Sequence, residues 1–321
     1  MSTSIQGAWL AADGLKHVLQ EDLLLRGVEI MDWHGMLALS TQRPVYSPWA
    51  LDIWTAPQRA GITSIRNASD TLRAIQRNWS LYAADNFRRA GLIVQKLPPV
   101  KAAPLVFPTP APTSPLGAWT LLDTSTLLFS ATKTSPFING APEFVENRTD
   151  PPSRAYLKLW EACTRLGRWP AAGERCYDLG ATPGGWTWAL ASLGAEVTAF
   201  DRAPLAPSVA AMPGVSFEQA SAFGLDPKLL PAADWVFSDI IAYPQRLLRL
   251  TRAWIETGQT KNIVLTVKFQ GETDHETVAA FEAIPGGALA HLAHNKHELT
   301  FFWSQEAALQ GVSPLPDTIL S

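Results

Sequence analysis

"DLGATPGGWTWAL", residues 178–190, places an acidic residue, three glycines and a proline between an apolar run and a run rich in Ala, Leu and Trp. "RCYDLG" (175–180) reads as a strand and "GWTWALASLG" (185–194) as the helix that leaves it, so the stretch is a strand-to-helix turn. Glycine at such a turn permits backbone conformations closed to other residues and lets a ligand approach the main chain. Pro183 stiffens it. Free amides near the helix start, with Asp178, are suited to polar groups of a ligand.

The pattern continues outward. "SRAYLKLWEACTRLG" (153–167) is helical, with Ser153 expected as N-cap and Gly167 near the stop. Downstream, "AEVTAFD", "VSFEQA", "ADWVFSDI" and "KNIVLTVKF" read as strands, with helices over "YPQRLLRLTRAWIETG" and "DHETVAAFEAI". Two late strands, "GALAHLAH" and "ELTFFWSQ", close the region. Strands alternating with helices predict an α/β domain with a mostly parallel sheet and helices on both faces. In such a sheet ligands lie beyond the carboxyl ends of the strands, where strand order switches.

The front of the chain reads differently. "GAWLAA" is a strand, "GLKHVLQEDLLLRG" an amphipathic helix ended by Gly27, "EIMDW" with "MLALST" a hairpin, and "SPWALDIW" another strand. "SIRNASDTLRAIQRNWSLYAADN" (64–86) offers a helix starting near Ser69 or Asp70, with Arg73 and Arg77 one turn apart. A small α+β domain with an antiparallel sheet is expected. Residues 97–115 hold seven prolines and read as extended linker. "AWTLLDTSTLLFSA" (118–131) is a strand pair, and residues 134–153 form an irregular connection. The expected division is an N-terminal domain over 1–96, a linker and strand pair over 97–150, the α/β domain over 151–310 and a tail over 311–321.

The glycine turn narrows the ligand. Its G-x-x-x-G-G spacing lacks the G-x-G-x-x-G of dinucleotide sites and the G-K-[ST] of phosphate loops. Asp201, ending "TAFDRAP", stands where a carboxylate accepts ribose hydroxyls in nucleoside sites. A nucleoside without phosphates and with an amino-acid tail, S-adenosyl-L-methionine, fits this pattern. An ordinary glycine turn with a solvent-facing Asp201 fits the spacing too. Asp239 and Lys268 end the fourth and fifth strands, facing the same crevice, and two charges there are expected to pair.

With these residues in view, the chain resembles the FtsJ-like ribose 2′-O-methyltransferases. "DLGATPGGWTWAL" is similar to their D-L-G-A-x-P-G-G-W/F signature, and "PPSRAYLKLWEA" to the S-R-x-x-L-K-L-x-E-A helix before their first strand. "FSDIIAYP" resembles the fourth-strand D-M segment, "IVLTVKF" the fifth-strand lysine and "KHELTFF" the late glutamate. "SPFINGAPEF" (135–144) corresponds to an S-P-W-P-x-G segment. The resemblance spans about residues 135–305 and is faint before residue 95. It implies a Rossmann-like methyltransferase domain with a seven-stranded sheet, preceded by a reduced THUMP-like RNA-guiding module. It further implies RNA as partner, 23S ribosomal RNA in particular.

The family tetrad of Lys, Asp, Lys and Glu falls on Lys158, Asp239, Lys268 and Glu298. Lys268 is then expected as general base, with Lys158 favouring its neutral form and the two carboxylates orienting the amines and the hydroxyl. The cofactor-binding set implied is Asp178, Gly180, Pro183, Gly184, Gly185, Trp186, Asp201, Ser221 and Asp239. Two positions depart from the family. Ser221 stands where an acidic residue reads the adenine amino group, so Ser221 or a backbone group takes that contact or cofactor affinity is weaker. Ala242 stands where a charged residue is common.

Composition bounds the alternatives. The chain has 321 residues, 47% hydrophobic and 17% charged, with a formal net charge of −3, which argues against a uniformly basic coat but leaves room for a local basic face. Cys163 and Cys176 supply neither a disulfide framework nor a metal set. His291, His294 and His297 recur every third residue, which on strand and turn alternates faces, so no metal is expected. The N-terminus lacks a signal-peptide pattern, and no run approaches the ~18 apolar residues of a membrane span; a cytoplasmic protein is expected. Thirteen tryptophans are read as packing, with base stacking the rival role. Arg246, Arg249 and Arg252, and the front domain's Arg66, Arg73, Arg77, Arg88 and Arg89, are candidates for phosphate contacts. A non-catalytic S-adenosylmethionine- or RNA-binding protein and a small-hydroxyl methyltransferase are the competing functions.

Overall fold

A computed structural model describes residues 4–315. Part of the expected tail, residues 316–321, lies outside the described residues. The described residues divide into two compact units, one comprising 4–105 with 111–143, the other 106–110 with 144–315.

The first unit holds two four-stranded sheets. β1 (Gly7–Ala11), α1 (Lys16–Leu25), β2 (Asp32–His34), β3 (Leu37–Ser40) and β4 (Ala50–Trp54) give an antiparallel sheet of order β2-β3-β1-β4. β5 (Pro57–Gly61), α2 (Ile65–Arg73), β6 (Trp79–Leu81), α3 (Phe87–Val94), β7 (Gly117–Leu121) and β8 (Thr126–Ser130) follow, with sheet order β5-β8-β7-β6. The first of these is the expected antiparallel sheet; the second gathers the expected strand pair, β7 and β8, with two further strands, and in it β6 runs parallel to β7. The expected start of α2 is corrected. Ser64, not Ser69 or Asp70, is the N-cap, its hydroxyl accepting the Asn67 amide at 3.0 Å. Ser69 is instead buried within the helix, and Arg77 lies beyond its end.

The second unit opens on α4 (Tyr156–Leu166), stopped by Gly167 in the left-handed conformation (φ +63°). Ser153 is not its N-cap; that position is Ala155, with no side-chain capping bond. β9 (Arg175–Leu179), α5 (Gly185–Ser192), β10 (Glu196–Asp201), α6 (Pro207–Ala210), β11 (Val215–Gln219), β12 (Ala233–Ser238), α7 (Pro244–Thr257) and β13 (Thr260–Lys268) alternate as expected. α8 (His275–Glu282), β14 (Gly287–Ala290), β15 (Glu298–Ser304) and α9 (Gln305–Gln310) complete the unit. The sheet order is β11-β10-β9-β12-β13-β15-β14, with β15 antiparallel to both neighbours.

This order positions the site. From β9 the chain works outward to β10 and β11, then returns to place β12 on the other side of β9. The carboxyl ends of β9 and β12 therefore flank the switch in strand order, where loops diverge and leave a crevice. The central strands are almost wholly buried, as a sheet covered on both faces requires. The tryptophans are mostly core: Trp9, Trp49, Trp54, Trp119, Trp235 and Trp254 are among the largest fully buried side chains.

Candidate active site

The turn after β9 needs its glycines. Gly180 has φ +78°, and a Cβ there would stand 2.8 Å from the Ile240 side chain. Gly184 has φ +110°, and a Cβ on Gly185 would lie 2.5 Å from the Ser153 hydroxyl. Beside this turn lies a cavity of about 510 Å³, lined among others by Asp178, Gly180, Pro183, Gly185, Trp186, Asp201, Ser221, Asp239 and Lys268. Of the expected cofactor set, Gly184 alone is absent from that lining. It serves the turn itself.

Asp178 is buried, and its carboxylate accepts the Thr187 hydroxyl at 2.6 Å. Burial pushes its acid up to about 7, against the Thr187 bond and with the Asp239 and Asp201 charges adding to the rise. Asp201 is not simply solvent-facing: its Oδ2 accepts the Thr182 amide at 2.9 Å and its Oδ1 the Ala203 amide at 3.1 Å. It thereby ties the turn after β10 to the glycine turn. Trp186 is an anchor, donating to the Ala155 carbonyl at 2.8 Å and packing edge-to-face on Phe237.

The four tetrad positions come together from four elements. Lys158 Nζ lies 2.6 Å from Glu298 Oε1 and 3.2 Å from Asp239 Oδ1. Lys268 Nζ lies 2.9 Å from the same Asp239 oxygen and donates to the Asp239 carbonyl at 2.5 Å. Lys268 and Glu298 are direct partners in the β13–β15 ladder, so sheet register alone brings them together. Lys158, one turn into α4, closes the set from outside the sheet.

The two lysines are not equivalent. Burial draws Lys158 down, but Asp239 and Glu298 outweigh it and raise its ammonium above the ordinary lysine value, so Lys158 is held as a cation. Lys268 has one carboxylate neighbour where Lys158 has two, and of the tetrad only Asp239 and Lys268 line the cavity.

Several contributing residues escaped the sequence reading. Thr266 donates to Asp239 Oδ1 at 2.6 Å. Its signal was available: two residues before Lys268 on one strand, it shares that face. Thr187 had no such signal, because only the packing of α5 against β9 brings it to Asp178. Phe223 also lines the cavity, with the Arg246 guanidinium 3.9 Å from its ring centroid. Arg246 is thus at the cavity wall as well as on the exposed face of α7, where Arg249 and Arg252 follow. Among the described residues no group of His, Cys, Asp and Glu is arranged to hold a metal. His291 is buried against the Lys296 carbonyl, and the half-buried His294 meets Glu161.

The model of the FtsJ-like methyltransferase family matches residues 151–280. The Ribosomal RNA large subunit methyltransferase M of Halorhodospira halophila is 39% identical over 159 residues, 47% of this chain and 46% of that protein. The protein of the same name from Aromatoleum aromaticum is 35% identical over 172 residues, 49% of this chain and 46% of its own. The matched stretch thus spans a little under half the length of these relatives. Among solved structures, a fibrillarin/Nop5p complex aligns with a TM-score of 0.38 and 16% identity, covering 46% of this chain and 80% of that one. The similarity to the FtsJ-like methyltransferase family thus lies in residues 151–280, within the second unit.

Proposed function

We propose that the chain is an S-adenosylmethionine-dependent methyltransferase acting on a ribose 2′-hydroxyl of RNA, with 23S ribosomal RNA in the cytoplasm as its target. The observation that carries this reading is the meeting of Lys158, Asp239, Lys268 and Glu298 at one end of the sheet, with Asp239 and Lys268 alone of the four on the cavity wall.

The cavity suits the cofactor. Gly180 and Gly185 line it at a tight turn where a Cβ would collide with Ile240 and Ser153, Asp201 borders the same space, and Ser221 lies on the wall beyond β11. When bound, S-adenosylmethionine supplies an electrophilic methyl group on a sulfonium. This chain's residues then do the rest. Lys268 would take up the proton that the 2′-hydroxyl loses as its oxygen receives the methyl group that the cofactor would supply. Lys158 is unsuited to that role, being anchored as a cation by two carboxylates. Lys158 and Lys268 share Asp239 Oδ1, so the carboxylate holds the two amines side by side. Asp239, held by Thr266, and Glu298, holding Lys158, fix the geometry, which matters because misplacement by about 1 Å can cost on the order of 100-fold in rate. The exposed arginines of α7 provide phosphate contacts beside the cavity mouth.

The test is incubation with methyl-labelled S-adenosylmethionine and unmodified total RNA, beside Lys268→Ala. Alkali-stable label in 23S RNA, absent with the variant, supports the reading. Label on no RNA, with cofactor binding intact, overturns it and brings forward a small-hydroxyl substrate or a non-catalytic protein.

A further inference from the structure

One turn beyond Lys158 on α4 lies a second acidic centre. Glu161 is wholly buried, an expensive place for a carboxylate unless it is fully bonded. Its Oε1 accepts Arg165 Nε at 2.9 Å, Arg165 Nη2 at 2.8 Å and the Ala293 amide at 3.0 Å. Its Oε2 accepts the His294 amide at 3.3 Å and lies 2.9 Å from His294 Nδ1. An internal ion pair with Arg165 would hold α4 together by itself. The amides of residues 293 and 294 belong to another part of the fold, the turn joining β14 to β15.

That turn ends at Glu298 and carries several hydrogen bonds of its own. His291 Nε2 lies 3.0 Å from the Lys296 carbonyl, and Asn295 Nδ2 donates to the Glu298 carbonyl at 3.2 Å and to Thr300 Oγ1 at 3.1 Å. The Lys296 amide meets Glu298 Oε1 at 3.4 Å. One helix therefore grips both ends of a six-residue segment: Glu161 holds residues 293 and 294, and Lys158 holds Glu298.

We infer that Glu161 is a positioning residue: by clamping the β14–β15 turn to α4 it sets the Glu298 carboxylate against Lys158 and so fixes the place of the tetrad. This rests on the proposed function for its kinetic consequence, but the geometric claim stands apart from it. His294 completes the clamp and has no place in the proton transfer itself.

Removing Glu161 alone would strand Arg165 in the interior, so the variants are Glu161→Leu with Arg165→Met, which takes out both charges, and Glu161→Gln with Arg165→Met, which keeps one acceptor for the Ala293 amide. Each is made on the natural background and on Glu298→Gln. Two quantities are read: methyl transfer to RNA, and the titration of Lys158 followed by NMR of labelled lysine. With the leucine pair, kcat is expected to fall about 10–100-fold with unchanged cofactor affinity, the glutamine pair recovering part of the loss. The Lys158 titration should move down, in the direction Glu298→Gln moves it. On the Glu298→Gln background neither quantity should change further, because the residue through which Glu161 acts is already gone. An equal loss on both backgrounds, or a Lys158 titration left where it was, overturns the assignment. Should the natural protein transfer no methyl group to RNA, the proposed function fails, and the Lys158 titration still decides for or against Glu161.

Discussion

Each unit buries a lysine against an aspartate, and the two pairs behave as opposites. In the first unit Lys133 meets Asp52 at 2.8 Å with both side chains only 1% exposed. Its ammonium also donates to the Phe137 carbonyl at 2.7 Å and to the Ser135 carbonyl, while Asp52 accepts the Ser135 amide at 3.0 Å. Three donors meet three oxygens, and the segment after β8 is stapled to β4. In the second unit Lys158, Asp239 and Lys268 are 15–18% exposed, two ammonium groups share one carboxylate oxygen, and a cavity opens beside them. Burial of an ion pair thus does not mark a site. A pair saturated and sealed from solvent stabilises a loop; a cluster with shared partners and an open wall can exchange a proton.

The sharpest way to break this contrast is Lys268→Ala. Loss of the base should lower methyl transfer by about 10²–10⁴-fold while isothermal titration shows cofactor affinity intact; near-normal turnover would remove Lys268 from the chemistry. Lys133→Met should do the reverse. Leaving the buried Asp52 carboxylate without the Lys133 charge is expected to cost about 3–5 kcal/mol in urea unfolding, with kcat unchanged in the folded fraction, and adding Asp52→Asn should recover part of it.

Asp178 sharpens the comparison through pH. Its folded acid is pushed by burial up to about 7 from the ordinary 3.8, so between those values the folded state binds more protons than the unfolded one. Stability should therefore be fullest below about pH 4 for this group and be lost as pH rises through about 7, by on the order of 4 kcal/mol. Asp178→Asn should flatten that part of the stability curve; an unchanged slope would place the Asp178 acid near its ordinary value. The smallest effect is expected at the cavity mouth. Arg246→Ala should weaken RNA binding evenly across sequences and reduce the salt slope by about one unit, measured by fluorescence anisotropy across a salt series.

What could be read in advance followed the range of the signals. The α/β alternation from residue 153 was legible because buried parallel strands are apolar runs between amphipathic helices. The short strands β5 and β6 were not: "PQRAG" has no β-branched or aromatic residue, and Trp79–Leu81 spans three residues inside what reads as helix. Each is held as strand by its neighbours, β8 and β7, rather than by local preference. At α2 the serine that caps was overlooked in favour of two candidates further along, because an N-cap is recognised by backbone geometry as much as by residue type. Lys158 and Glu298 were located by family likeness, since neither has a local pattern that separates it from a solvated helix lysine or a strand-end glutamate.

The sequence by itself determined the strand-to-helix turn at 178–186, the parallel α/β layout around it, and the placing of Asp239 and Lys268 at strand ends facing one crevice. These follow from periodicity, glycine's conformational range and the geometry of parallel sheets, all of which act over a few residues. Only the tertiary structure decided that Lys158 is the anchored cation and Lys268 the lysine on the cavity wall, that Thr187 receives the buried Asp178, and that Glu161 grips the turn leading to Glu298. Those outcomes depend on which carboxylates and amides arrive from distant elements and on how much water reaches them, and neither quantity is written in any local stretch of the chain.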